Sequence, residues 1–293
     1  QKRLVGSGYR AHKRDLLAMI PPIANNFVAG ETEREAMDHV AALNERGVKG
    51  IVNLLGEHYE ERADADADAD AYIDLAERLV ARDLEGCLSV KPSQIGLEVG
   101  ERAFEENLAR IVEAVDCFVW VDMEDHETTD VTLDAFERHA RETGGDVGVC
   151  VQANLKRTGE TLERLADCPG KVRLVKGAYD EPSDIAYTEK SRVDEMYREY
   201  LTYMFEHFDD GIAVGSHDPA MIELAQELHA EHGTPFEIQM LTGVRERAQF
   251  DLAEEYEVYQ YIPYGSKWFS YFYRRVRERK ENALFALRAI VSP

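Results

Sequence analysis

The chain has 293 residues, with 34 Lys plus Arg against 57 Asp plus Glu, a formal net charge of −23. So acidic a surface repels phosphate backbones and anionic lipid heads, which excludes nucleic-acid binding through a basic footprint. An apolar fraction of 44% supplies a core and excludes wholesale disorder, and the length suits one large domain or two small ones.

The basic residues are skewed, with 10 Lys against 24 Arg. Low Lys joined to high Asp reads as the composition of proteins from salt-loving archaea, in which carboxylates hold water and salt screens their repulsion. An ordinary acidic cytosolic protein is the alternative. Cys87, Cys117, Cys150 and Cys168 show no CxxC spacing and read as small apolar thiols rather than as a disulfide framework or zinc site. No apolar run reaches the ~18 residues of a membrane span. The polar opening QKRLVGSGYRAHKRD is no signal peptide, so a cytoplasmic location is expected.

In chain order, residues 1–46 are expected to form helices that precede a barrel domain at 47–293 and cover one end of it. The first strand candidate is 49–55. An Ala–Asp repeat from Ala63 to Ala71 follows, read as a solvated loop or helix start. The second strand is 87–93. Apolar residues Val99, Phe104, Leu108, Ile111, Val112 and Val115 then mark a helix over 97–116. Strand three, 118–125, leads to a helix that Thr129 or Asp130 is expected to cap. Strands follow at 147–154, 172–179 and 211–218. Asp218-Pro219 then reads as a helix start, with Asp as N-cap and Pro at the first helical position. The last two strands are 236–243 and 257–265.

Eight strands alternating with helices predict an α/β fold, a distorted (β/α)8 TIM-like barrel with N-terminal helices and a C-terminal helix over its mouth. Runs apolar at nearly every position fit strands covered on both faces. The runner-up, an open doubly wound sheet, calls for a glycine-rich phosphate turn after the first strand. That strand ends instead in Leu54-Leu55-Gly56-Glu57-His58.

A barrel of this type works at the C-terminal ends of its strands. There the sequence places Lys91, Asp122 to Asp125, Gln152 and Asn154. Further round come Arg173, Lys176, Gly177, Tyr179, Ser216, His217, Glu237, Gln239, Tyr261 and Tyr264. Lys91 and Lys176 lie in strand-like runs and need a counterion or a ligand, with Asp122 and Glu124 as natural partners. A purely structural ion pair is the other reading. The segment Tyr256–Tyr273 holds a third of the aromatic residues. On a helix after Gly265, Tyr271, Arg274, Arg275 and Glu278 form one stripe, at i, i+3, i+4 and i+7. Paired guanidiniums with a nearby carboxylate suit an α-amino acid zwitterion; an exposed helix whose charges pair among themselves is the alternative.

These motifs resemble the monofunctional proline dehydrogenases. They are Ser89-Val90-Lys91, Asp122-Met123-Glu124-Asp125, Arg173-Leu174-Val175-Lys176-Gly177-Ala178-Tyr179, His217-Asp218-Pro219 and Tyr271-x-x-Arg274-Arg275-x-x-Glu278. The likeness runs from Phe27 to the C-terminus. It implies oxidation of L-proline to Δ1-pyrroline-5-carboxylate by hydride transfer from proline C5 to N5 of non-covalent FAD. It assigns Arg274 and Arg275 to the substrate carboxylate, with Glu278 and Lys91 completing the polar pocket. Tyr179, Leu241, Tyr261 and Tyr271 would wall the ring. Asp122 would be an essential acid near the substrate, and Arg173 would act beside the flavin. FAD contacts would come from Met123, Gln152, Arg173, Lys176, Gly177, Ala178, Ser216, His217 and Gln239. Where the family often has Thr before the histidine, this chain has Ser216, which keeps the hydroxyl. The resemblance further implies a quinone or other electron acceptor, transient contact with the inner face of the cell membrane, and handover of product to a pyrroline-5-carboxylate dehydrogenase. No metal is expected. Two other classes fit parts of the pattern: a Schiff-base lyase using Lys91 or Lys176, and an amino-acid-binding module without turnover.

Overall fold

A computed structural model describes residues 27–268. It shows eight parallel strands closed in the order β1 to β8: Lys49–Leu54, Gly86–Val90, Val119–Val121, Val147–Gln152, Lys171–Val175, Ile212–Gly215, Phe236–Leu241 and Glu257–Tyr264. β8 pairs with β1 along its length, from Lys49 opposite Tyr259 to Leu54 opposite Tyr264, so no strand edge is left unpaired. The expected barrel is therefore present, and the open sheet is not.

Eight helices belong to the described chain: α1 Glu33–Asn44, α2 Arg62–Ala81, α3 Glu101–Ala114, α4 Thr129–Thr143, α5 Thr158–Leu165, α6 Lys190–His207, α7 Pro219–His232 and α8 Glu246–Leu252. Their apolar stripes bury the outward faces of the strands. Val52, Leu88, Val90, Val149, Leu174, Val214 and Ile238 meet Leu75, Leu108, Phe136, Met204 and Ile222 in one continuous cluster. A smaller cluster of Ile51, Cys87, Trp120 and Ala213 fills the barrel interior. Gly148 makes room for it, because a Cβ there would sit 2.5 Å from the Trp120 ring. Burial pushes the Cys87 thiol above its ordinary range and Cys117 up to about 12, so these thiols behave as apolar groups. Among the described residues no helix is long and apolar enough to cross a membrane.

Several expectations need adjusting. For the Ala–Asp repeat the helix-start reading holds and the loop does not: it is the first half of α2, with Ala65 and Ala69 buried one turn apart. Three of its four aspartates are held by neighbours: Asp66 by Arg62, Asp70 by Arg110, and Asp68 by Tyr59 and Gln94. Ion pairs and small buried alanines outweigh the weak helix propensity of Asp. α3 begins only at Glu101, after Gly100 at φ 149°. Neither Thr129 nor Asp130 caps α4: Asp125 caps a short 3-10 turn, His126–Thr128, that runs straight into it. Asp218 does cap α7, accepting from Ala220 N at 3.2 Å, with Pro219 in the first turn. The described N-terminal helix, α1, packs through Ala36, Met37, Val40 and Leu43 against β1 and β8. It thus covers the barrel wall and not an end.

Candidate active site

Alternation along each strand fixes which side chains point inward. On β2 and its exit these are Cys87, Ser89 and Lys91; on β3, Trp120 and then Asp122; on β5, Arg173; on β7, Glu237 and Gln239; on β8, Tyr259 and Tyr261. Of these, Ser89, Lys91, Arg173 and Tyr261 converge on Asp122. Its Oδ1 accepts from Ser89 Oγ at 2.7 Å and from the Arg173 guanidinium. Its Oδ2 accepts from Lys91 Nζ at 2.8 Å and from the Tyr261 hydroxyl at 2.7 Å. A carboxylate offers about four lone-pair positions, and here each is taken.

Burial alone would raise the Asp122 pKa, but the charges of Lys91 and Arg173 outweigh it and hold the carboxyl far below the usual range. Burial likewise opposes the charge on Lys91 and Arg173, and Asp122 overrides it in both, so both pKa values are raised. The Tyr261 hydroxyl is pushed well above the ordinary phenol range by burial and by the anion it donates to. Near neutral pH the cluster therefore keeps two cations around one anion and contains no ready base. The Arg173 guanidinium also lies 4.8 Å from the Trp120 ring centroid and donates to Gln239 Oε1 at 3.1 Å.

Of the two lysines, only Lys91 pairs with Asp122. Lys176, just past β5, is bound by Asp218 Oδ2 at 2.7 Å and by Asp194 of α6. Glu124 pairs with neither lysine; it is buried and accepts from Ser93 N and Ser93 Oγ at 2.7 and 2.8 Å, fixing the turn after β2. Tyr264 is not at the site, since its side chain joins the outer apolar layer. Met123, just past β3, is buried and belongs to the same apolar cluster.

The other expected residues form an arc over β4 to β7. Gln152 Nε2 donates to the Glu124 carbonyl at 2.8 Å. Gly177 has φ +106°, and a Cβ there would collide with the Asn154 carboxamide. Ala178 is exposed and Tyr179 half-buried beside it. Ser216 Oγ accepts from Asp218 N at 3.1 Å. His217 Nε2 accepts from Leu241 N at 3.1 Å, tying the end of β6 to the end of β7. Tyr271, Arg274, Arg275 and Glu278 lie outside the described residues.

Sequence reasoning missed one contributor, Glu181. Ser89 was legible as the inward residue two before Lys91. Glu181, buried, accepts from His126 N at 2.9 Å and His126 Nδ1 at 2.6 Å and so joins the loops after β3 and β5; nothing local announces it. Asn154 Oδ1 is buried with no hydrogen-bond partner among the described residues.

A parallel barrel with unbalanced buried charge at the C-terminal ends of its strands has the form of an enzyme. The family is given by comparison. The model of the family described as proline dehydrogenase matches residues 36–288. A proline dehydrogenase of Deinococcus radiodurans is 36% identical over 282 residues, covering 92% of this chain and 90% of that protein. Proline dehydrogenase 1 of Bacillus subtilis subsp. natto is 34% identical with the same coverage. The proline utilization A structure of Bdellovibrio bacteriovorus, inactivated by N-propargylglycine, superposes with a TM-score of 0.79 at 22% identity. The match covers 92% of this chain and a third (33%) of that one. The chain belongs to the proline dehydrogenase family and is an oxidoreductase.

Proposed function

We propose that the protein oxidises L-proline to Δ1-pyrroline-5-carboxylate with non-covalent FAD. The observation that carries this is the excess of buried cations over Asp122 at the strand ends, in a chain of this family. Such an excess favours an anionic or electron-accepting group above it.

The residues fit the cofactor. The arc of Gln152, Arg173, Lys176, Gly177, Ala178, Ser216, His217 and Gln239 is contiguous and offers donors of both charged and neutral kinds. Asn154 Oδ1 is a buried acceptor awaiting a donor. Bound FAD would supply the hydride acceptor. Arg173, held charged by Asp122, would favour negative charge on the reduced ring. Lys91 is held charged and oriented by the same carboxylate and faces the substrate side. Leu241, Tyr261 and Tyr179 border that side and would shape it around an apolar ring. Arg274 and Arg275 would grip the substrate carboxylate, with Glu278 and Tyr271 beside them. Since the cluster holds no ready base, the substrate nitrogen would have to enter without its extra proton.

The purified protein should be yellow and should bleach with proline under anaerobic conditions. A colourless protein that takes up no FAD at molar salt would overturn the reading. Arg275→Met should weaken proline binding strongly while FAD stays bound.

The same proposal has a quinone-type acceptor receiving the electrons and a pyrroline-5-carboxylate dehydrogenase receiving the product. The match to the bifunctional protein PutA of Escherichia coli, 26% identical over 184 residues and covering 14% of that protein, supports the link to a second activity. The net charge of −23 supports a cytoplasm of high salt, which predicts a melting temperature that rises steeply with KCl.

A further inference from the structure

A polar chain continues below the site. Glu237, on the inner face of β7, is buried and lies two residues before Gln239. Gln239 Nε2 donates to Glu237 Oε1 at 2.6 Å, and the other Glu237 oxygen accepts from Lys171 Nζ. On the opposite side, Gln239 Oε1 accepts from Arg173 Nη1 at 3.1 Å.

We propose that Glu237 is a positioning residue that fixes which end of the Gln239 carboxamide faces Arg173. The reason is hydrogen-bond polarity. A carboxamide has one donor end and one acceptor end, and the two are nearly equal in shape. Arg173 only donates, so it is satisfied only by Gln239 Oε1. An ionised Glu237 only accepts, so it holds the Nε2 end and leaves Oε1 no other place. Burial raises the Glu237 carboxyl above its ordinary range, and the Lys171 ammonium paired with its other oxygen opposes that rise and presents Glu237 as an acceptor. The chain of polarity thus runs from Lys171 at the base of the barrel to Arg173 at its working end, and Asp122 closes it. This rests on the reading that Arg173 and Gln239 border the cofactor.

Glu237→Gln tests it, because the substitution keeps shape and reverses polarity. Lys171 then takes the carbonyl oxygen of the introduced carboxamide, whose amide nitrogen turns toward Gln239. Gln239 answers with its Oε1 and brings Nε2 against the guanidinium, donor to donor. In the FAD-loaded protein, kcat should fall about tenfold with KM for proline within about twofold, since the substrate contacts are untouched. The double variant Glu237→Gln/Gln239→Glu restores every donor–acceptor pairing and the total charge. It should regain most of the melting temperature lost in the single variant, while kcat stays low because residue 239 itself borders the cofactor.

Wild-type kcat in Glu237→Gln, or a double variant that melts no higher than the single, overturns the proposal. If the single variant does not fold, the double decides alone; loss of fold in both assigns the pair to stability only and overturns it. A separate readout needs no flavin. The Gln239 side-chain amide resonance in the apoprotein should shift on Glu237→Gln, and an unmoved resonance overturns the assignment. A wild-type protein that binds no FAD sinks the functional reading and leaves this second test standing.

Discussion

The two ends of the barrel interior both carry charge, but they balance it differently. At the lower end each cation has a carboxylate of its own. Lys171 pairs with Glu237, while Lys49 meets Glu257 at 2.6 Å and reaches toward Glu85 at 3.9 Å. Tyr259 donates to Glu257 at 3.0 Å, and Lys171 lies 5.2 Å from the Phe118 ring centroid. At the upper end a single carboxylate, Asp122, serves Lys91, Arg173, Tyr261 and Ser89. A balanced set is a plug that completes itself. An unbalanced set is stable only with something further that is negative or electron-rich. Buried charge as such marks neither structure nor function; the surplus does.

The comparison can be broken from its strongest side. Asp122→Ala leaves two cations facing each other in a buried space. Removing one partner of such a set costs about 3–5 kcal/mol, read as a fall in melting temperature, and turnover should drop by at least about a hundredfold. A protein that merely melts earlier, with normal turnover when folded, would make the upper end a plug like the lower. Lys171→Met should be milder, about 2–3 kcal/mol, because Lys171 is a third exposed and solvent screens part of the loss.

The pH dependence is subtler. The folded pKa of Asp122 is depressed, so its stabilisation is present above the unfolded value of about 4 and is lost as pH falls through the folded one. Lys91 is raised, so its contribution is present below about 10.4 and lost as pH rises through the folded value. Between these limits the cluster does not titrate. kcat/KM for proline should therefore rise smoothly from about pH 6 to about pH 9 as the substrate loses its proton, without an inflection from these groups. A bell-shaped profile centred near neutrality would mean that a base outside the cluster takes part.

The barrel was legible because each strand is an apolar run closed by a polar tail, and because the intervening stretches have helix length. The inward set was legible from period-two alternation, which places Ser89 with Lys91 and Glu237 with Gln239. The pairing was less so. Lys91 and Lys176 look alike as lysines in apolar surroundings, yet one meets Asp122 and the other meets Asp218 and Asp194. Asp194 is contributed by α6, whose rotation no local pattern fixes. Glu124 follows Asp122 by two residues, but β3 ends at Val121 and the chain turns, so the alternation no longer applies. Tyr264 was misplaced by a simple parity error: it shares a face with Val258, Gln260 and Ile262, not with Tyr261.

The Ala–Asp repeat in α2 bears on how this helix finds its place. On a helix two residues turn the chain by about 200°, so a dipeptide repeat shows nearly the same composition on every side. A slip of one repeat unit would present another Ala to the barrel and another Asp to the arginines. The repeat therefore carries no address of its own. The address lies downstream, in Tyr72, whose hydroxyl bonds Gln94 at 3.0 Å and receives Asn53 at 3.1 Å, and in Leu75 and Leu79 below it. The repeat is a tolerant lead-in, and its length is open to change without rewriting the lock.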